Sequence, residues 1–366
     1  MTRILILTDY RGTFYSTART RHRLCTMDVD RITAHFRRAG LEPEVVRFAD
    51  LDLNEDLRGV PVLYTSSEDH GLHYKSWIED LVLALEIAGA QVIPGYRYLR
   101  AHHNKVMMEA LRAQLFPDDT RLLRTRTFGT YEELAATELD GPWPKVLKSA
   151  YGAGSQSVAR ARNRKELLHT ARTLSDSHDG TEAVREHGRR LLRRYHHARS
   201  LHRQKFLVQE MVPGLAGDYK VLRMGERYYL LYRRNRPGDF RASGSGDLDY
   251  LDMAGADREA LLDYAEQVSD TLGTPLTSLD IAFDGDRFHL IEFQCLHFGT
   301  VTAEKSTGYH IRLDGTWQHV EERCDIEGAF CEAIVGHLGT HRPGPPGRSP
   351  VTPAPTWSAT SLPSTY

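Results

Sequence analysis

The run Ser278-Leu279-Asp280-Ile281-Ala282-Phe283-Asp284-Gly285-Asp286-Arg287-Phe288-His289-Leu290-Ile291-Glu292-Phe293-Gln294 decides how the chain folds. Apolar residues recur on both sides of Asp284-Gly285, a two-residue turn signal. Two antiparallel strands are therefore expected, Ser278 to Phe283 and Phe288 to Phe293. Glu292 and Gln294 are two apart and share a strand face. The turn brings Asp280 across from them, gathering two carboxylates and an amide. Hard oxygen donors of this kind suit Mg²⁺. Polar residues on a strand also serve as a plain solvated face. Against that, Asp280 and Glu292 sit inside apolar runs, where a carboxylate is costly unless paired or bound to a metal. Taken alone, the hairpin leaves both readings open.

Working outward, four more pieces carry chemistry. Lys105 opens a helical stretch that runs to Leu115. Lys148 ends the apolar strand Val146 to Ser149, just before the turn-rich Tyr151-Gly152-Ala153-Gly154-Ser155, and Val158 to Arg160 is its return strand. Backbone N–H groups in such a glycine loop can approach phosphate oxygens, with the lysine adding a point charge. An ordinary glycine hairpin has the same sequence. The strand Phe206 to Gln209 runs into Glu210-Met211-Val212-Pro213-Gly214, whose main chain could meet an adenine edge or simply turn. Arg233, Arg234, Arg236 and Arg241 crowd one loop with Asp239, and guanidinium groups suit phosphate and carboxylate recognition, although a solvated basic loop is the blander reading.

The rest of the chain sets limits. Its 366 residues correspond to two or three domains at about 150 residues each. With 47 basic and 49 acidic residues there is no overall pull towards nucleic acid or an acidic membrane. Four scattered cysteines make neither a disulfide scaffold nor a thiolate zinc site. No apolar run is long enough to span a bilayer, so a cytoplasmic protein is expected. No P-loop, nucleophile elbow or HExxH motif occurs. The first hundred residues read as strand and helix in alternation: Ile4 to Leu7, Asp30 to Ala39, Glu44 to Phe48, Val60 to Thr65, Trp77 to Ala88 and Gln91 to Pro94. Arg160 to Lys205 reads as a basic helical segment, taken as a solvated face and with disorder around Ser175 to Thr181, and the Pro-, Ser- and Thr-rich tail after His341 as disordered. Tyr219 to Met224, Tyr228 to Arg233 and a helix from Asp257 to Leu272 lead into the opening hairpin, and a helix near Ile326 to Leu338 closes the fold. His102 and His103 are placed at a helix start, Arg11 and Ser16 in a loop that either touches a substrate carboxylate or is plain surface, and His70 and His73 in a loop near the cleft whose spacing could also serve a metal.

In order, these pieces resemble the ATP-grasp superfamily. The resemblance covers Lys105 to Gln294, and Asp218 to Arg241 looks most like amino-acid ligases related to ribosomal-protein glutamate ligase and glutathione synthetase. It implies an α/β protein, α+β in its catalytic part, with the ATP-grasp fold behind a doubly wound N-terminal α/β domain. The expected divisions are 1–100 for that domain, 101–212 for a central subdomain, 213–340 for the subdomain with the metal site, and 341–366 for the tail. By the resemblance Lys105 and Lys148 hold the phosphates of ATP, while Gly152, Gly154 and Ser155 close over them. Gln209, Glu210 and Val212 form the adenine hinge, and Asp218 reaches the ribose. Asp280 and Glu292 bind one or two Mg²⁺ ions, with Mn²⁺ as an alternative. Gln294 departs from the asparagine common in the family, and Cys295 to Thr300 also departs from the family's run.

The implied reaction joins a small-molecule carboxylate to an amine through an acyl phosphate and releases ADP and phosphate. Arg241 is the first candidate for stabilising that intermediate and Arg234 the second. Membrane and nucleic acid are not expected as partners, while a homodimer is common among resembling enzymes. The competing readings are an ATP-grasp kinase, a carboxylate–thiol ligase, and a nucleotide- or RNA-binding regulator that uses the basic segment. The last leaves Asp280 and Glu292 unexplained.

Overall fold

The computed structural model describes residues 2–20, 23–117, 119, 123–152, 158–177, 180, 181, 184, 185, 188, 189, 199–242, 244–250 and 257–340. The apolar run at Ile4 is buried on both faces and becomes an inner strand of a parallel sheet, as such runs do. After β1 (Thr2–Thr8) come a short hairpin of β2 (Ser16–Thr20) and β3 (Arg23–Thr26), then α1 (Val29–Arg38), β4 (Leu41–Arg47), β5 (Pro61–Tyr64), α2 (His73–Ile87) and β6 (Gln91–Ile93). The parallel sheet has the order β4-β1-β5-β6.

Two helices, α3 (Tyr96–Ala101) and α4 (Lys105–Leu115), follow. The Asn104 side chain caps α4 by accepting from Met107 N–H. His102 and His103 sit in the link between the two helices, not in the start of α4, because α3 ends at Ala101 and Asn104 takes the cap. Next come β7 (Thr125–Phe128), α5 (Tyr131–Ala135), β8 (Lys145–Ser149), β9 (Val158–Ala161), α6 (Arg164–Leu174) and β10 (Phe206–Glu210). Their strands form an antiparallel sheet, β7-β10-β8-β9, over a small core of Phe128, Leu147, Leu167 and Phe206.

The described part of Arg160 to Lys205 is not helical throughout. Arg160 lies in the β8–β9 ladder opposite Val146, and α6 begins only after the cap at Asn163. Near the far end, Ser177 N–H donates to Leu201 O and Gln204 N–H to Ser175 O, bonds that are not helical. The described residues between, from 180 to 189, are helical. Arg190, Arg193, Arg194, His196 and His197 lie outside the described residues, as do Gly154, Ser155 and the tail.

The third sheet is the largest. It is built from β11 (Gly217–Met224), β12 (Arg227–Arg234), β13 (Leu248–Asp249), β14 (Leu276–Phe283), β15 (Phe288–Gln294), β16 (Tyr309–Leu313) and β17 (Thr316–Val320). Its order is β15-β14-β11-β12-β16-β17, with β13 beside β12. The helix α7 (Arg258–Leu272) precedes β14, capped by Asp257 at its start and by Gly273 at its end. That glycine takes φ +63°, a left-handed conformation that favours glycine. One face of the sheet packs on α7 and on Met108 and Leu111 of α4. The other face contributes Leu222, Met224, Tyr229 and Leu276 to the core of the parallel sheet. Between them in sequence, α8 (Val301–Lys305) precedes β16, and α9 (Ile326–Thr340) ends the described chain with Phe330 and Ile334 in that same core. Among the described residues no helix is long and apolar enough to cross a membrane.

Candidate active site

The two antiparallel sheets face one another across a cleft of about 260 Å³. Most of the residues singled out above line it: Lys105, Lys148, Gly152, Gln209, Glu210, Val212, Asp218, Arg241, Asp280, Glu292 and Gln294. They arrive from different elements. The first turn of α4 brings Lys105, whose backbone N–H donates to Ala150 O at the end of β8. Its ammonium donates to Gly152 O at 2.8 Å, so the lysine and the glycine turn meet directly. Lys148 on β8 is 5% exposed and reaches across the cleft to Glu292 Oε1 at 3.3 Å.

The opposite wall depends on a bulge. At the turn, Phe283 pairs with Phe288 and Ile281 with Leu290, but Asp280 pairs with Glu292. Ile291 is the extra residue. A regular ladder would set Ile291 opposite Asp280, and the bulge instead sets the two carboxylates face to face. Gln294 follows on the same strand opposite Ser278. Arg112 of α4, 2% exposed, donates to Leu290 O at 2.6 Å and to Ile291 O at 2.7 Å, which ties down both carbonyls at the bulge. Glu109 lies 3.0 Å from the same guanidinium, and burial pushes its carboxyl up despite Arg112.

Two cations hold Asp280: Lys220, which sequence reasoning passed over, and Arg233, which it named only as one of the basic loop's guanidiniums. Lys220 on β11 donates to Oδ1 at 3.2 Å, and Arg233 on β12 lies 2.9 Å from Oδ2. Burial alone would push the Asp280 carboxyl up, but Arg233 and Lys220 outweigh it and hold it far below the usual range. Glu292 behaves alike: burial opposes ionisation, and Lys105 with Lys148 more than restores it. Both carboxylates are thus ionised at neutral pH. With the Gln294 amide they make a hard-oxygen donor set in a partly buried cleft, which fits a hard divalent cation.

Some expected roles change. Both carboxylate oxygens of Asp218 accept from Arg233, at 2.6 and 2.9 Å, so Asp218 orients that arginine at the cleft wall. Burial pushes its carboxyl up, against the pull of Arg233. Arg234 does not line the cleft. Successive strand residues face opposite ways, and Arg234 pairs instead with Asp247 at 3.1 Å and Asp249 at 3.0 Å. Its neighbour Arg233 takes the place at the wall. Arg241 is at the cleft with its guanidinium forked on Asp239 at 2.8 and 2.6 Å. Gln209 turns its amide to Thr125 Oγ1 at 3.0 Å, and Glu210 faces Lys145 at 4.0 Å. The signal for Lys220 was a lone lysine in the apolar run Tyr219-Lys220-Val221-Leu222.

No protein-family model and no curated protein matches this sequence. Among solved structures the chain is similar to a RimK domain protein ATP-grasp from Sphaerobacter thermophilus DSM 20745, at 17% identity, covering 92% of this chain and 100% of that one with a TM-score of 0.47. It is similar to the D-cycloserine synthetase DcsG at 14% identity, over 92% and 99% of the two chains, with a TM-score of 0.49. It is also similar to the ATP-grasp ligase PsnB complexed with minimal precursor, at 15% identity, over 92% and 99%, with a TM-score of 0.48.

Proposed function

We propose that the chain is an ATP-grasp ligase that joins a carboxylate to an amine and forms ADP, with an amino acid or small metabolite as substrate. The observation that carries this reading is the pairing across the cleft, with Lys105 and Lys148 on one wall and Asp280 and Glu292 on the other. A triphosphate with its divalent ion needs cations on one side and hard oxygens on the other. Val146, Val212, Leu215, Ile291 and Phe293 add apolar lining that suits a base. Magnesium, held by Asp280, Glu292 and Gln294, would neutralise charge on the phosphates.

The remaining work falls to the chain. Lys105 and Lys148 position the phosphate oxygens. The substrate carboxylate attacks the γ-phosphorus, the bond to the leaving ADP oxygen breaks, and an acyl phosphate results. The amine then adds to the acyl carbon, phosphate leaves, and the amine proton departs to phosphate or water. Catalysis of this kind is mostly positioning and charge balance. In this reading Arg241, hydrogen-bonded to Asp239 at the cleft, balances charge on the acyl phosphate and its tetrahedral successor.

The test is to incubate the protein with ATP, Mg²⁺ and pooled amino acids and to measure ADP and product masses, with Asp280→Asn as control. The expected result is ADP that depends on Asp280 and a new mass equal to two components minus water. A stable phosphorylated product would instead identify a kinase, and a thioester a thiol ligase.

A further inference from the structure

Beside the cleft, where the parallel sheet meets the α3–α4 link, Glu68, His102 and His103 bring three donor atoms within 4.8 Å of one another. His103 Nε2 is 2.9 Å from Glu68 Oε1, and His102 Nε2 is 3.8 Å from the same oxygen. Two consecutive residues converge on one carboxylate because His103 takes φ +55°, a left-handed conformation that reverses the link. His102 is 4% exposed, and its Nε2 is buried without a hydrogen-bond partner among the described residues. Its other ring nitrogen, Nδ1, lies 3.5 Å from Ser66 Oγ. An imidazole with one nitrogen oriented by a hydroxyl and the other aimed, unpartnered, at a carboxylate has the form of a metal ligand with its outer support in place.

We propose that Glu68, His102 and His103 form a binding site for a zinc-class divalent ion, separate from the Asp280–Glu292 pair. Two imidazoles and one carboxylate are the borderline-soft donors that zinc and its transition-metal neighbours take, whereas magnesium prefers oxygen alone. Three protein donors leave a coordination position for water or a substrate amine or carboxylate. His103 also lines the cleft, so that position borders the space where the ligase reading puts the substrates. The site itself rests on this geometry and not on the ligase reading.

The test uses Co²⁺ as an optical stand-in for zinc, added to metal-stripped protein in excess Mg²⁺ so that the oxygen-rich pair is already occupied. The expected result is one equivalent of Co²⁺ taken up with visible absorption bands, displaced by Zn²⁺. Glu68→Gln and His103→Ala, each confirmed folded by circular dichroism, should weaken uptake at least about 100-fold, while Glu292→Gln should keep it. Absence of stoichiometric uptake by the natural chain would overturn the proposal. So would unchanged binding in the Glu68 and His103 variants, or loss of binding in Glu292→Gln alone.

Discussion

At the scale of single residues, the cleft depends on charges that answer one another. Glu292→Ala removes the carboxylate that faces both Asp280 and Lys148 and should cut ADP formation at least about 100-fold with the fold intact, read by ADP release and circular dichroism. Arg233→Met strands Asp218 and Asp280 as buried carboxylates with one partner fewer. Removing one side of a buried pair costs about 3–5 kcal/mol, so urea unfolding should show a loss of that size. Arg234→Met, which loses ion pairs with the exposed Asp247 and the half-buried Asp249 and a contact over the Tyr232 ring, should cost much less in the same assay. The contrast between these neighbours marks what was legible. Apolar flanks and a turn signal disclosed Asp280, Glu292 and Gln294. The basic loop disclosed that an arginine was wanted, but not which one, because strand parity depends on where pairing begins. The pairing of Asp218 with Arg233 was hidden for a related reason: the two are 15 residues apart and adjacent only through the β11–β12 ladder.

At the scale of elements, the bulge at Ile291 could not be read from sequence, since nothing local distinguishes an extra strand residue from a regular one. Its support comes from another element. Arg112→Met frees two carbonyls and leaves Glu109 buried without its cation, so it should destabilise by about 3–5 kcal/mol and lower ADP formation together. Adding Glu109→Leu should recover part of the stability but not the activity, as comparison of the single and double variants would show. The β16–β17 hairpin was missed although Asp314-Gly315, flanked by Tyr309 to Leu313 and Thr316 to Val320, carries the same turn signal as the opening run. That hairpin titrates. Burial first, then His319 and Arg258, push the His310 imidazole from 6.5 down to about 4. Between those values the unfolded chain binds the proton and the folded chain does not, so stability falls as pH falls through that window. His310→Gln should flatten the pH dependence of urea unfolding between about pH 6.5 and 4.

At the scale of the whole molecule, the βα order that makes the parallel sheet and the hairpin at Asp284-Gly285 were readable, because alternating βα patterns and hairpin turns are local. The closure of the structure on itself was not, because that is a matter of which faces meet. The last helix, α9, packs Ile326, Ala329, Phe330 and Ile334 into the core built by β1, β5 and α1. Glu327 accepts from Asp28 N–H at 2.9 Å and lies 3.1 Å from Arg31, so its buried carboxylate is answered by the start of α1. Ending the chain before Ile326 should therefore give an insoluble or largely unfolded protein. Ending it after Arg342 should leave the melting temperature unchanged, as thermal denaturation would show.

That shared core also has a consequence in time. Protein synthesis delivers the parallel sheet first, yet the side chains that complete its interior come only from Leu222 onward, on β11, β12, β14 and α9. An early module without those later side chains lacks part of its core and should not complete folding in the usual N-terminal-first order. Nascent chains halted near residue 100 should therefore stay protease-sensitive while the released protein is resistant.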